Sequence, residues 1–105
     1  MKSFTEKKDT CELWPNASTH AAGLRVPKPF ADRLVLKSLR ETRGDAVTVT
    51  EDEIKRGVHA MAQEGIHASP EGGAAWQGLE KLVEAGRVRR DETVVVFNTG
   101  SGLVY

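Results

Sequence analysis

Two short segments hold the residues best suited to chemistry. The first is Asn98-Thr99-Gly100-Ser101-Gly102, where hydrogen-bonding side chains alternate with glycine. Glycine lets the backbone come close to a ligand, and the Thr99 and Ser101 hydroxyls can both donate and accept. In open parallel sheets, ligands bind outside the carboxyl ends of the strands, so such a segment after a strand would line a small-molecule site. A plain turn after a strand has the same composition. The second segment is Ser69-Pro70-Glu71-Gly72-Gly73-Ala74-Ala75. Its small residues strip bulk from the first turn of a helix, so a flat ligand or another backbone can lie against it. The helix dipole alone favours an acid such as Glu71 there, by ~0.3–1 kcal/mol. Glycine within a helix costs up to ~1 kcal/mol relative to alanine, so this pair needs a packing or a ligand reason.

The remaining reactive side chains suggest less. His20, His59 and His67 have no metal-ligand spacing and no cysteine or acidic cluster beside them, which fits surface or packing roles. Cys11 is the only cysteine, so it has no disulfide partner within the chain, as expected of a cytosolic protein. Nothing in its sequence setting marks it as a reactive thiol. Ser101 lacks the Gly-x-Ser-x-Gly elbow of a nucleophilic serine. Arg87, Arg89 and Arg90 follow Gly86, where cations complement the dipole of a helix end.

The elements that must position the two segments follow from pattern and capping. Residues 1–27 lack a clear period; residues 2–8 read as the end of a polar helix, followed by an irregular connection through Pro15, Gly23 and Pro27. From Pro29 the spacing of Phe30, Leu34, Val35, Leu36 and Leu39 predicts a helix with a broad apolar face, stopping near Gly44. Residues 46–49 read as a short strand. Thr50 and Glu53 form a capping-box pair opening a helix with Ile54, Val58 and Met61 on one face, ending near Gly65. Ser69 as N-cap with Pro70 at the first position opens another, with Ala75, Leu79, Leu82 and Val83 turned inward and a stop at Gly86. Residues 93–97, Thr-Val-Val-Val-Phe, do not alternate in polarity. That pattern suits a strand buried on both faces, as in a parallel sheet covered by helices. The expected fold class is therefore α/β, with residues 28–105 forming a helix–strand–helix–helix–strand unit.

Composition bounds the function. The chain has 105 residues, the size of one small domain, with 39% hydrophobic and 29% charged residues. Its 15 Lys+Arg balance its 15 Asp+Glu, so it lacks the basic excess of an electrostatic nucleic-acid binder. No apolar run approaches the ~20 residues of a membrane span, and the N-terminus has no apolar stretch typical of a secretory signal. A cytoplasmic location is expected. Two strands make a marginal sheet, and a doubly buried strand needs neighbours on both edges. The chain is thus expected to associate with another chain or to be part of a larger domain.

Both segments, together with Gly23-Leu24-Arg25-Val26-Pro27-Lys28-Pro29-Phe30-Ala31-Asp32, resemble the C-terminal portion of the threonine synthase family. These are pyridoxal-phosphate (PLP) enzymes of fold type II, the tryptophan-synthase-β-like fold. The resemblance runs from about Phe4 to Leu103, and looser forms of the two glycine segments occur in threonine dehydratases and serine racemases. It implies a three-layer domain with helices packed on a short, mainly parallel sheet. It also implies PLP as cofactor and conversion of O-phosphohomoserine and water to threonine and phosphate. The residue matching Thr99 offers its hydroxyl to the pyridine nitrogen, which leaves that nitrogen largely unprotonated and suits β,γ-elimination and replacement. Glu71 and Gly72 match residues beside the cofactor ring; Gly100 and Ser101 would border the ring pocket, with Asn98 in the same segment. Gly23–Asp32 is the most distinctive piece, and a structural loop leading into a helix is its plainer reading.

PLP enzymes hold the cofactor through a lysine and cradle its phosphate in a Gly-rich loop. None of the seven lysines (Lys2, Lys7, Lys8, Lys28, Lys37, Lys55 and Lys81) stands in the family's lysine motif, and no such loop is present. The expectation is a chain that supplies one wall of the cofactor site and is inactive alone. Its partner would be the remaining part of the enzyme or a second copy, with a small amino-acid substrate and neither nucleic acid nor membrane. Two other readings stay open: a subunit of a split, dehydratase-like PLP enzyme, and a non-catalytic oligomerising module.

Overall fold

The structure, a computed structural model, describes residues 1–104. In chain order it contains α1 (Lys2–Thr5), a 3-10 turn (Ala22–Leu24), α2 (Asp32–Glu41), α3 (Glu51–Gln63) and α4 (Pro70–Glu84). Two compact units are present. One comprises residues 1–18 and 25–48; the other comprises residues 19–24 and the chain from Val49 onward.

The first unit is held largely by polar contacts. The Asp32 carboxylate, at the start of α2, accepts from the Cys11 N–H at 2.9 Å and from the Arg33 N–H at 2.8 Å. These donors, the Cys11 N–H foremost, hold its carboxyl below the usual range. Arg40 reaches Asp9 at 3.1 Å, and Lys8 lies between Glu6 and Glu12. Such exposed pairs contribute little, because solvent screens them. The expected apolar face of α2 is only partly realised. Leu36 is buried and Leu39 half-buried, whereas Phe30, Leu34 and Val35 are exposed. No element of this unit packs over them.

The second unit carries the core. Thr50 caps α3 as expected: its hydroxyl accepts from the Glu53 N–H at 3.2 Å, and the Glu53 carboxylate accepts from the Thr50 N–H at 2.7 Å. The same carboxylate pairs with Lys81 of α4 at 2.8 Å, tying the two helices together. Ser69 caps α4 with Pro70 in the first turn, again as expected. Both helices stop before glycines with positive φ, Gly65 at 82° and Gly86 at 73°. Ala21, Ile54 and Ala74 form the buried cluster, with Val49 packed on it.

α3 and α4 cross unusually closely, and glycine makes this possible. A Cβ on Gly73 would lie 2.6 Å from the Ile54 carbonyl oxygen and 2.8 Å from the Val58 nitrogen. A Cβ on Gly57 would run into the Gly73 carbonyl oxygen. The packing reason for Gly73 is therefore a backbone-to-backbone contact. It also corrects the expected inward face of α4. Gly72, Gly73, Ala74, Gln77 and Gly78 are buried, Leu79, Leu82 and Val83 are half-buried, and Ala75 is exposed. Side-chain hydrophobicity marks the wrong stripe when a helix buries its backbone.

The expected sheet is not seen among the described residues. Neither 46–49 nor 93–97 is a strand, and the only extended pairing among the described residues is an antiparallel bridge between Ala68 and Ser101. A strand exists only where its N–H and C=O groups meet a neighbour, and no described segment lies alongside 93–97. Val95 and Phe97 are 77% and 78% exposed, so the apolar run is not buried within this chain.

Candidate functional site

The second unit brings the two glycine segments together. The Ser69 N–H donates to the Gly100 carbonyl at 3.2 Å and to Asn98 Oδ1 at 3.3 Å. The Gly102 N–H donates to the His67 carbonyl at 3.0 Å, beside the Ala68–Ser101 bridge. Gly102 is required there, because a Cβ would lie 2.6 Å from the Ala68 carbonyl oxygen. Gly72 faces Asn98: a Cβ on it would meet the Asn98 amide oxygen and lie 3.2 Å from the Ala68 Cβ. Five of the six candidates (Glu71, Gly72, Asn98, Gly100 and Ser101) thus belong to one locality around the start of α4. Thr99, the sixth, is carried on the same loop. It is exposed, and its hydroxyl has no hydrogen-bond partner among the described residues.

Glu71 is engaged within the protein. Its carboxylate accepts from its own N–H, from the Gly23 N–H at 2.7 Å and from the Ser69 hydroxyl. These donors, its own N–H foremost, hold the Glu71 carboxyl below the usual carboxylate range against the opposing effect of desolvation. The acid therefore pins the Ala22–Leu24 turn to the start of α4. The Ser69 hydroxyl in turn accepts from the Gly72 N–H at 3.3 Å, and Ser69 is fully buried. Sequence reading identified Ser69 as a cap, but not as the residue joining both segments; nor did it anticipate Gly23 as the partner of Glu71. Those contacts span 29 and 48 residues, beyond any local pattern.

The linkage has a definite sign. A carboxyl whose folded pKa is lowered stabilises the fold above its ordinary value, ~4.3, and that contribution is lost as pH falls through the lowered value. Thermal melts from pH 6 to pH 2 are expected to show Tm falling below about pH 4. In Glu71→Gln the fall should be shallower, from a lower plateau at pH 6.

A groove lined by Glu53, Arg56, His59, Gln77 and Lys81 includes none of the candidates. Among the described residues, no cluster of three His, Cys, Asp or Glu side chains stands ready to hold a metal. No helix among the described residues is long and apolar enough to cross a membrane.

Comparison with known proteins is decisive for the family. The family model described as pyridoxal-phosphate dependent enzyme matches residues 2–100. The chain belongs to that family. Among curated members, a threonine synthase of Methanosarcina acetivorans is 40% identical over 86 residues, covering 81% of this chain and 21% of that protein. One of Methanocaldococcus jannaschii is 31% identical over 104 residues, covering 98% of this chain and 26% of that enzyme. One of Mycobacterium leprae is 31% identical over 86 residues, or 24% of its length. The chain thus spans about a fifth to a quarter of the length of these threonine synthases.

Membership implies PLP as the cofactor, and the locality fits part of it. Thr99 offers a hydroxyl with no partner among the described residues, which suits the pyridine nitrogen. Neither the 67–72 nor the 98–102 segment contains a lysine or an arginine that could meet the carbonyl carbon or the phosphate.

Proposed function

We propose that this chain forms one wall of the cofactor site of a threonine-synthase-like PLP enzyme. It would be the C-terminal part of a system that converts O-phosphohomoserine and water to threonine and phosphate. The observation that carries this reading is the seating of 98–102 on 67–72, which leaves the Thr99 hydroxyl open while its neighbours are engaged. When bound, PLP supplies an electron sink conjugated to the substrate's α-carbon. Thr99 would donate its hydroxyl to the ring nitrogen. As a neutral partner rather than a carboxylate, it leaves that nitrogen largely unprotonated. Gly72, Gly100 and Ser101 would border the ring, with Asn98 in the same segment, and Glu71 would hold the wall's shape through Gly23.

The lysine and the phosphate loop would come from outside these 105 residues, in the same polypeptide or in a second one. The unpaired, apolar 93–97 segment supports such a completion, since its neighbours would bury Val95 and Phe97. Co-expression with the lysine-bearing portion of a threonine synthase tests this. The two polypeptides should co-purify and together release phosphate from O-phosphohomoserine, with neither active alone. Turnover by this chain alone would overturn the reading.

A further inference from the structure

We propose that Asn98 is a positioning residue, whose side chain, fitted into the slot left by Gly72, seats the loop that carries Thr99. Three observations converge. Asn98 Oδ1 accepts from the Ser69 N–H at 3.3 Å, while its backbone belongs to the exposed loop. The same oxygen occupies the space that a Cβ on Gly72 would need, so the two positions are matched in size. Ser69 is fully buried and its N–H also meets the Gly100 carbonyl at 3.2 Å, so the anchor is fixed and grips the loop on both sides of Thr99. Asn98 therefore acts on the ligand through Thr99. That last step rests on the proposed cofactor wall; the seating does not.

Amide hydrogen exchange on the 105-residue chain tests the seating without any cofactor. Asn98→Leu keeps the approximate bulk and deletes the acceptor, whereas Asn98→Asp keeps an acceptor, in a position where the start of α4 favours negative charge. In Asn98→Leu the Ser69 and Gly102 amides should exchange about tenfold faster, with α3 amides unchanged, because only a local opening becomes easier. Asn98→Asp should restore protection. Size matching is tested separately: Gly72→Ala should lower Tm, and adding Asn98→Ala should recover part of the loss. Unchanged protection in Asn98→Leu, or no recovery in the double variant, overturns the proposal. Titration with pyridoxine 5′-phosphate separates the two claims. If the Thr99 amide resonance of the assembled pair does not respond while the exchange pattern holds, the cofactor wall fails and the seating stands.

Discussion

Replacing Gly73 with alanine is expected to destabilise the α3–α4 pair by ~1–3 kcal/mol, although alanine is the better helix former. In an open helix position the exchange would stabilise by up to ~1 kcal/mol. Here the added carbon would lie 2.6 Å from the Ile54 carbonyl oxygen and 2.6 Å from Val58 Cγ2. The first neighbour is backbone and cannot rotate away, so the helices must separate, and overpacking of that kind typically costs ~1–3 kcal/mol. Whole domains are stable by only ~5–15 kcal/mol, so the loss should be plain in a urea melt. Gly73→Val should fail to form the pair. Gly65 is the control: beyond its chain neighbours, no described residue comes within 4 Å of its would-be Cβ, and its φ of 82° alone penalises a side chain. Gly65→Ala should therefore cost only ~1 kcal/mol. A stabilised Gly73→Ala protein would contradict the close crossing.

The second large effect concerns Thr99. In the assembled enzyme, Thr99→Val keeps the shape and deletes the hydroxyl, which on the proposed reading would leave the ring nitrogen without its partner. A loss of about 10²-fold in kcat is expected, the order seen when one donor to a charge-bearing centre is removed. Thr99→Ser should keep most of the activity. In the isolated chain, neither variant should change the unfolding free energy beyond the roughly ±0.5 kcal/mol range of surface substitutions, because Thr99 is exposed. A Thr99→Val pair of full activity would remove Thr99 from the cofactor site.

Helix starts were legible because caps are local chemistry: Thr50 with Glu53, and Ser69 with Pro70, act within one turn and need nothing from the rest of the fold. Strands are different. The 93–97 pattern names a buried strand, yet a strand is made by its neighbours, and none of the described segments provides one. The faces of α2 and α4 were misread for related reasons. Phe30 and Leu34 have the spacing of a core face, yet both are exposed. α4 buries glycines, which carry no hydrophobic signal, because the driving gain is closeness of backbone. In the candidate site the motifs were visible, while the contacts that organise them were not. Glu71 meeting Gly23 and Ser69 meeting Asn98 depend on chain reversals that no local spacing encodes.

The central claim is that this chain contributes a cofactor wall and not the lysine. Borohydride reduction of the chain with micromolar PLP, followed by peptide mapping, tests it most directly. The account predicts scattered, substoichiometric labelling across the seven lysines, with no saturable absorbance band. Stoichiometric labelling of one lysine, with a band that saturates at micromolar PLP, would contradict it.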